Sequence, residues 1–217
     1  MTTIDFLNVT KAFGDLVAVH PVTAHVPDAA WWVIVGANGS GKTTLLQMTS
    51  GLQSPSTGTV CVGAAEAGTP DARLEVSYLS DSPAFYSDLS VAEHIDYLAG
   101  LFEDDAVADR AHDIMRAFHL HTRVDDLPDT FSRGMKQKTA IALALARPST
   151  VLLLDEPTRG LDAEGAETMV SLLRARHDHG TTVMTVTHEP ERFAVPNAMQ
   201  LRVHEGVFEH PKPMNGD

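Results

Sequence analysis

The chain contains very little cysteine: Cys61 is the only one among its 217 residues. A single cysteine cannot form a disulfide within the chain, so the sequence fits a reducing compartment, where disulfides are rare. A chain of this length is large enough to bury a continuous hydrophobic core, and we expect one α/β domain.

Long hydrophobic runs are also absent. A helix that crosses a bilayer needs about 18–20 predominantly apolar residues. The longest apolar runs here, near residues 29–35 and 140–146, are much shorter. We therefore do not expect the chain to form a conduction path by itself. Any membrane-spanning part that it works with would have to be a second polypeptide.

Basic residues are scarce as well. Lysine and arginine together number 16, against 29 aspartate and glutamate residues, which gives a formal net charge of −13. A broad nucleic-acid-binding surface needs a basic patch or stripe. The composition therefore argues against a nucleic acid as a partner.

The most informative motif is a glycine-rich segment at residues 36–43, which reads Gly-Ala-Asn-Gly-Ser-Gly-Lys-Thr. It fills every fixed position of the phosphate-binding loop G-x-x-x-x-G-K-[ST]. A strand pattern at 31–35 precedes it and a helical pattern at 44–48 follows it. Backbone N–H groups in such a loop surround phosphate oxygens, while Lys42 can neutralise phosphate charge and Thr43 can bind Mg²⁺. This strand–loop–helix context disfavours the alternative, a glycine-rich turn that matches by chance.

A second pattern is a strand that ends in two acidic residues: residues 151–156 read Val-Leu-Leu-Leu-Asp-Glu. Four consecutive aliphatic residues are typical of a parallel strand buried on both faces, and open α/β sheets bind ligands beyond the carboxyl ends of their strands. Asp155 can hold Mg²⁺ there, and Glu156 can polarise an attacking water. An acidic turn at the end of a core strand is the alternative, which the phosphate-binding loop makes weaker.

A third segment, residues 131–138, reads Phe-Ser-Arg-Gly-Met-Lys-Gln-Lys. It resembles the signature motif of ABC ATPases, commonly LSGGQ. Other segments resemble the family's remaining motifs in the expected order: Phe13 as the residue that stacks on adenine, Asp155-Glu156-Pro157-Thr158 as the extended Walker B motif, Gly160-Leu161-Asp162 as the D-loop and Thr187-His188-Glu189 as the switch-histidine segment. The resemblance extends from about residue 6 to about residue 207.

The resemblance implies a nucleotide site shared by two chains in a head-to-tail dimer. One chain would supply the catalytic residues Lys42, Glu156 and His188, and Mg²⁺ ligands Thr43 and Asp155. It would also supply the nucleotide contacts Phe13, Gly36, Ala37, Asn38, Gly39, Ser40, Gly41, Lys42, Thr43 and Thr44. Ser132 and Gly134 would come from the partner chain. Taken alone, Ser132 and Gly134 could equally belong to an ordinary capped helix.

Two positions depart from the family pattern. Asp81 stands where the family has the Q-loop glutamine, and Arg133 replaces the first glycine of the signature. The Asp81 carboxylate could be a third Mg²⁺ ligand, could transmit dimer closure to a membrane partner, or could form an ordinary turn with its own backbone. Arg133 would add a guanidinium near the facing nucleotide, unless its side chain turns toward solvent.

The expected fold class is α/β. The resemblance implies a P-loop NTPase fold of ABC type, with a RecA-like, mostly parallel core sheet, an antiparallel β edge region and an inserted helical subdomain. We predict a single domain over residues 1–217. Its core would span about 1–82 and 148–217, and the helical subdomain about 83–147.

Several individual elements can also be placed. Alternating apolar residues at 4–26 and 57–62 predict strands of the edge region. Ser90 and Glu93 form a capping-box pattern before an amphipathic helix, and Ser132 is the expected N-cap of a helix that ends at Arg147-Pro148. Residues 163–178 are predicted to form a helix between the strands at 151–155 and 181–187.

These patterns together predict the ATP-binding, Mg²⁺-dependent ATP-hydrolysing subunit of an ABC transporter. It would lie at the cytoplasmic face of a membrane through a separate transmembrane permease subunit, and would pair with an identical or related cassette. The sequence of the signature motif resembles exporter-type subunits more than nutrient importers. The lack of a C-terminal regulatory domain favours the same expectation.

The sequence disfavours two other functions. A soluble ABC ATPase of DNA repair, chromosome organisation or translation would usually carry coiled-coil insertions or two cassettes, which this sequence does not show. A nucleotide sensor without turnover is disfavoured because Glu156 and His188 are both present.

Overall fold

The computed structural model describes residues 2–214. Residues 1 and 215–217 of the predicted domain lie outside the described residues. In chain order the strands are β1 (Ile4–Phe13), β2 (Leu16–Val26), β3 (Trp31–Gly36), β4 (Thr57–Val62), β5 (Ala65–Glu66), β6 (Val76–Leu79), β7 (Val151–Asp155), β8 (Thr182–Val186), β9 (Met199–His204), β10 (Val207–Phe208) and β11 (Lys212–Pro213). The α-helices are α1 (Lys42–Thr49), α2 (Pro70–Glu75), α3 (Val91–Phe102), α4 (Ala106–Ala117), α5 (Arg133–Ala146) and α6 (Ala163–Asp178).

The chain divides into two compact units. One, which we call the sheet unit, contains the residues up to Tyr78, Ser149–Glu156 and the residues from Arg174 onward. The other, which we call the helical unit, contains Leu79–Pro148 and Pro157–Leu173. Pro157–Leu173 thus belong to the helical unit, whereas the sequence interpretation placed them in the core.

Two sheets build the sheet unit. The antiparallel sheet has the strand order β2–β1–β4–β5, and the larger sheet has the order β10–β9–β3–β8–β7–β6, with β11 beside β9. Strand β3 runs parallel to both β8 and β9, and β7 runs parallel to β8. The predicted α/β fold, with a mostly parallel core sheet and an antiparallel edge region, is therefore confirmed.

Burial on both faces explains why apolar and polar residues do not alternate along the central strands. All five residues of β7 and all five of β8 are buried, as expected for parallel strands that are covered on both faces. Leu45 and Leu46 of α1 pack into the same hydrophobic cluster as Leu153 and Met184. This packing holds α1 against the central strands, and the predicted site residues lie at the carboxyl ends of those strands.

In the helical unit, local capping sets where the helices begin. Ser90 caps α3: its Oγ accepts from the Glu93 N–H at 3.2 Å, and the Glu93 carboxylate accepts from the Ser90 N–H at 2.7 Å. The predicted capping box is therefore confirmed. Val91 and Ile95 face inward and are fully buried, which is the apolar face that the helical periodicity indicated.

No helix among residues 2–214 is long and apolar enough to cross a membrane.

Candidate active site

The phosphate-binding loop connects β3 to α1 in the sheet unit. Gly39 and Gly41 both have positive φ angles, 78° and 100°, which L-residues with a side chain rarely adopt. The backbone of Gly41 also lies against β2, where a Cβ atom would be 2.3 Å from the Ala18 carbonyl oxygen. The Ser40 hydroxyl is buried and has no hydrogen-bond partner among the described residues. The loop therefore presents an inward polar group suited to an anion.

Two glycine substitutions should separate backbone strain from steric collision in this loop. Gly39→Ala adds a methyl group in open space. It is expected to lower the free energy of unfolding by only about 1–2 kcal/mol, because the side chain is placed at a positive φ. Gly41→Ala also places a side chain at a positive φ and adds a collision with Ala18. It is expected to lower the free energy of unfolding by roughly 3 kcal/mol or more. Thermal unfolding of the two variants measures the difference. Equal midpoints would contradict the close approach of the loop to β2.

Lys42 begins α1 and points back into the loop. Its side chain is 6% exposed, and Nζ donates to the carbonyl oxygens of Gly36 at 2.9 Å and Ala37 at 2.8 Å. Burial lowers the pKa of Lys42, and the nearby carboxylates of Glu156 and Asp155 partly oppose that shift. The ammonium is thus held by loop carbonyls at the place where phosphate oxygens could take over as acceptors.

The two acidic residues lie at the end of β7. Asp155 is 2% exposed, and Glu156 is half-buried with its N–H donating to the Val186 carbonyl at 2.9 Å. Glu156 has a φ of 48°, an uncommon angle for a residue with a side chain and one that is often found at functional sites. Burial raises the pKa of Glu156, and His188 opposes that shift. A raised pKa brings a carboxylate nearer to the range that suits a general base.

His188 connects Glu156 to the loop. Its Nε2 lies 3.0 Å from Asn38 Oδ1 and 3.3 Å from Glu156 Oε1. An ionised carboxylate and an amide oxygen both accept hydrogen bonds, so the tautomer that satisfies both contacts carries its hydrogen on Nε2. Asn38 stands at a variable position of the motif, and no sequence signal linked it to a histidine 150 residues away. The structure therefore brings together His188, Glu156, Lys42 and the loop as the sequence predicted, and adds the Asn38 contact.

The donor set also suits a magnesium ion. The Asp155 carboxylate and the Thr43 hydroxyl are hard oxygen donors, which Mg²⁺ prefers. Thr43 is exposed at the first turn of α1. Among residues 2–214 no group of three or more His, Cys, Asp or Glu side chains is placed to hold a metal. That fits a site in which protein supplies one or two ligands and phosphate and water supply the others.

Phe13 lies at the end of β1, opposite Leu16 across the hairpin that leads into β2. Its side chain is 45% exposed, and the Lys11 ammonium lies 4.9 Å from the ring centroid. The approach of Ala18 to Gly41 brings β2 of this hairpin against the phosphate-binding loop. An exposed aromatic ring on this hairpin suits stacking on a planar base. The adenine contact stays a prediction.

The signature residues lie in the helical unit, at the start of α5. The Ser132 hydroxyl accepts from the Met135 N–H at 3.3 Å, which confirms the predicted N-cap. At Gly134 a Cβ atom would lie 2.9 Å from the Gly160 carbonyl oxygen, so only glycine allows this approach. The role of Ser132 and Gly134 toward a facing nucleotide stays a prediction.

The two departures from the family pattern both have partners in the helical unit. Asp81 Oδ2 lies 3.2 Å from Arg159 Nη1. The aliphatic part of Arg133 lies along Gly160, so the side chain is neither fully in solvent nor free of the protein. The Mg²⁺ role of Asp81 stays a prediction. The Asp81 carboxylate also has a second role, as the ion-pair partner of Arg159.

The comparison with known protein families agrees with these motifs. A family model described as ABC transporter matches residues 19–159, well over half of the chain. This chain belongs to the ABC transporter family. Its phosphate-binding loop and Walker B residues fall inside the matched region, whereas His188 follows it.

Curated relatives of this ABC protein include two import subunits. It is 31% identical over 224 residues to the spermidine/putrescine import ATP-binding protein PotA of Pseudomonas aeruginosa, covering 96% of this chain and 61% of the relative. It is 32% identical over 194 residues to the maltose/maltodextrin import ATP-binding protein MalK of Escherichia coli, covering 87% of this chain and 52% of the relative. The chain thus spans about half to three-fifths of the length of these relatives.

Solved structures confirm the ABC-type P-loop fold. An ATP-binding subunit of an ABC transporter superposes with a TM-score of 0.89 at 21% identity, covering 98% of this chain and 90% of that one. The cassette MJ0796, in a dimeric post-hydrolysis state with ADP and phosphate, superposes with a TM-score of 0.86 at 23% identity, covering 99% of this chain and 100% of that one.

Proposed function

We propose that this ABC protein binds and hydrolyses ATP and thereby powers a separate transmembrane permease subunit. The convergence of Lys42, Glu156 and His188 around the phosphate-binding loop carries the proposal, because phosphate binding alone needs the lysine but not a carboxylate and a histidine beside it. A sensor without turnover would not need a half-buried carboxylate with a raised pKa beside a hydrogen-bonded histidine.

Each residue has a role that follows from its placement. Loop N–H groups and Lys42 bind the β- and γ-phosphates. Glu156 accepts a proton from the attacking water, and a γ-phosphate oxygen takes the place of Asn38 Oδ1 as the acceptor for the Nε2–H of His188. Thr43 and Asp155 hold Mg²⁺, which neutralises phosphate charge when it is bound.

A second chain completes the site in this proposal. Ser132 and the N-terminal turn of α5 would contact the γ-phosphate bound by the facing chain, since helix N-termini favour anions. Solved cassettes with this fold include dimers, which supports the pairing of two chains. The partner could be an identical chain or a related cassette, and the permease would hold the pair at the cytoplasmic face of the membrane.

The exporter-type prediction finds no support among the relatives. PotA, MalK and the sulfate/thiosulfate protein CysA of Synechocystis are all import ATP-binding proteins. These relatives argue against export and favour uptake. They also favour transport over DNA repair, chromosome organisation or translation.

Removal of magnesium tests the ATPase proposal. Phosphate release by the purified protein should fall by at least about 10²-fold in EDTA and return with added Mg²⁺, since charge neutralisation by the metal is central to phosphoryl transfer. Thr43→Val, which keeps the shape and removes the hydroxyl, should raise the Mg²⁺ concentration needed for half-maximal release.

Thr59→Val, on β4 of the antiparallel sheet, is the matched control and should leave the Mg²⁺ titration unchanged. A wild-type rate that EDTA does not affect would contradict the proposal. The permease is tested separately: co-expression with membrane proteins encoded beside this gene should raise ATPase activity in the co-purified complex.

A further inference from the structure

Residues 157–162, which we call the post-Glu156 segment, follow the catalytic carboxylate directly in the chain and end just before α6. Pro157 and Thr158 are buried, whereas Arg159 and Gly160 are exposed. Gly160 has a φ of 82°, so the segment turns sharply at this point. The segment contains no helix or strand.

Helix α5 holds both ends of this segment. Gln137 is buried, and its Nε2 donates to the Pro157 carbonyl at 3.0 Å. At the other end, Lys138 Nζ lies 3.1 Å from the Asp162 carboxylate, and this hydrogen bond lowers the pKa of Asp162. The middle of the segment, around Arg159 and Gly160, is held by neither contact.

Asp81 and Arg133, the two residues that depart from the family pattern, contact this middle part.

Arg133 covers Gly160: its Cγ and Nε atoms both lie 3.4 Å from the point where a Cβ of Gly160 would be. Asp81 pairs with Arg159 at 3.2 Å. The absent side chain of Gly134 allows α5 to come this close, with the Gly160 carbonyl 2.9 Å from the Cβ position. The two residues that depart from the family pattern thus contact adjacent residues of one short segment.

We propose that Asp81 and Arg159 are positioning residues that set the placement of the post-Glu156 segment and thereby the rate of turnover. The proposal deepens the proposed ATPase function and rests on it. Asp81 and Arg159 are 43% and 53% exposed, and ion pairs with this exposure contribute little to stability. An ion pair that contributes little to stability can still change a rate several-fold, because a tenfold change in rate needs only a small change in activation free energy.

A charge swap tests the pair. Asp81→Arg places two guanidinium groups together, and Arg159→Asp places two carboxylates together. Each single variant should lower kcat by about five- to tenfold while KM for ATP changes by less than about twofold. The double variant Asp81→Arg with Arg159→Asp restores opposite charges and should return kcat to within about twofold of wild type.

The double variant also separates this role from magnesium binding, because it has no carboxylate at position 81. If Asp81 acts as a Mg²⁺ ligand, the double variant will remain as slow as Asp81→Arg and will need more Mg²⁺. That result would overturn the positioning role. The matched control is the swap of Asp113 and Arg116, an exposed ion pair on α4, which should leave kcat unchanged.

A second readout does not depend on ATPase activity. Hydrogen exchange followed by mass spectrometry should show faster exchange at residues 157–162 in both single variants and normal exchange in the double variant. Unchanged exchange in the single variants would overturn the proposal even in an active enzyme. Conversely, if the wild type proves inactive, the exchange result still tests the pair while the proposed function fails.

Discussion

Glu156→Gln is expected to bind ATP normally and to lose nearly all turnover. The substitution keeps the size and shape of the side chain but replaces the carboxylate, which accepts a proton from water, by an amide that cannot. Loss of a general base typically lowers the rate by about 10²–10⁴-fold. Phosphate release and ATP affinity, measured on the same preparation, check both parts of this expectation.

The loss of the base should also change the assembly state. Because hydrolysis is blocked, the ATP-bound dimer should accumulate and should be visible by size-exclusion chromatography. Glu164→Gln, at the exposed start of α6, is the matched control and should behave as wild type. Turnover of Glu156→Gln within about twofold of wild type would remove Glu156 from its assigned role.

The second large effect is expected from mixing two inactive proteins. Lys42→Ala removes the phosphate-binding lysine but leaves the signature intact. Ser132→Asp leaves the loop intact and puts a negative charge toward the facing γ-phosphate, while aspartate still caps α5. In a head-to-tail dimer a mixed pair contains one complete site, so an equimolar mixture should recover up to about a quarter of the wild-type rate.

Two controls make the mixing experiment decisive. Ser132→Asn caps the helix equally well without adding charge, and should retain much more activity than Ser132→Asp. Native mass spectrometry establishes that mixed dimers have formed. Mixed dimers without recovered activity would contradict the shared site and would favour chains that hydrolyse ATP independently.

The sequence was sufficient where a residue's role depends on its own type and on its place at the end of a strand. Val151–Asp155 and Thr182–Val186 form adjacent parallel strands, so Asp155, Glu156 and His188 follow from the pattern of buried strands that end in polar residues. Capping at Ser90 and Ser132 was predictable for the same reason, because an N-cap is decided within four residues.

Contacts between residues far apart in sequence were not predictable. The hydrogen bond from His188 to Asn38 and the ion pair between Asp81 and Arg159 join residues 150 and 78 positions apart. Neither pair has a local signature, since both depend on how loops come together after the strands and helices have packed. The grouping of Pro157–Leu173 with the helical unit was not predictable for the same reason, because Gln137 and Lys138 contact this segment across about 20 residues of sequence.

The most direct test of the proposed shared ATPase site is phosphate release per chain, measured with Mg²⁺ and ATP over a wide range of protein concentrations. A site completed by a second chain predicts a rate per chain that rises with concentration and then levels off as dimers form. It also predicts that Glu156→Gln stays near zero throughout. A rate per chain that is constant at all concentrations, or equal in Glu156→Gln, would contradict the account.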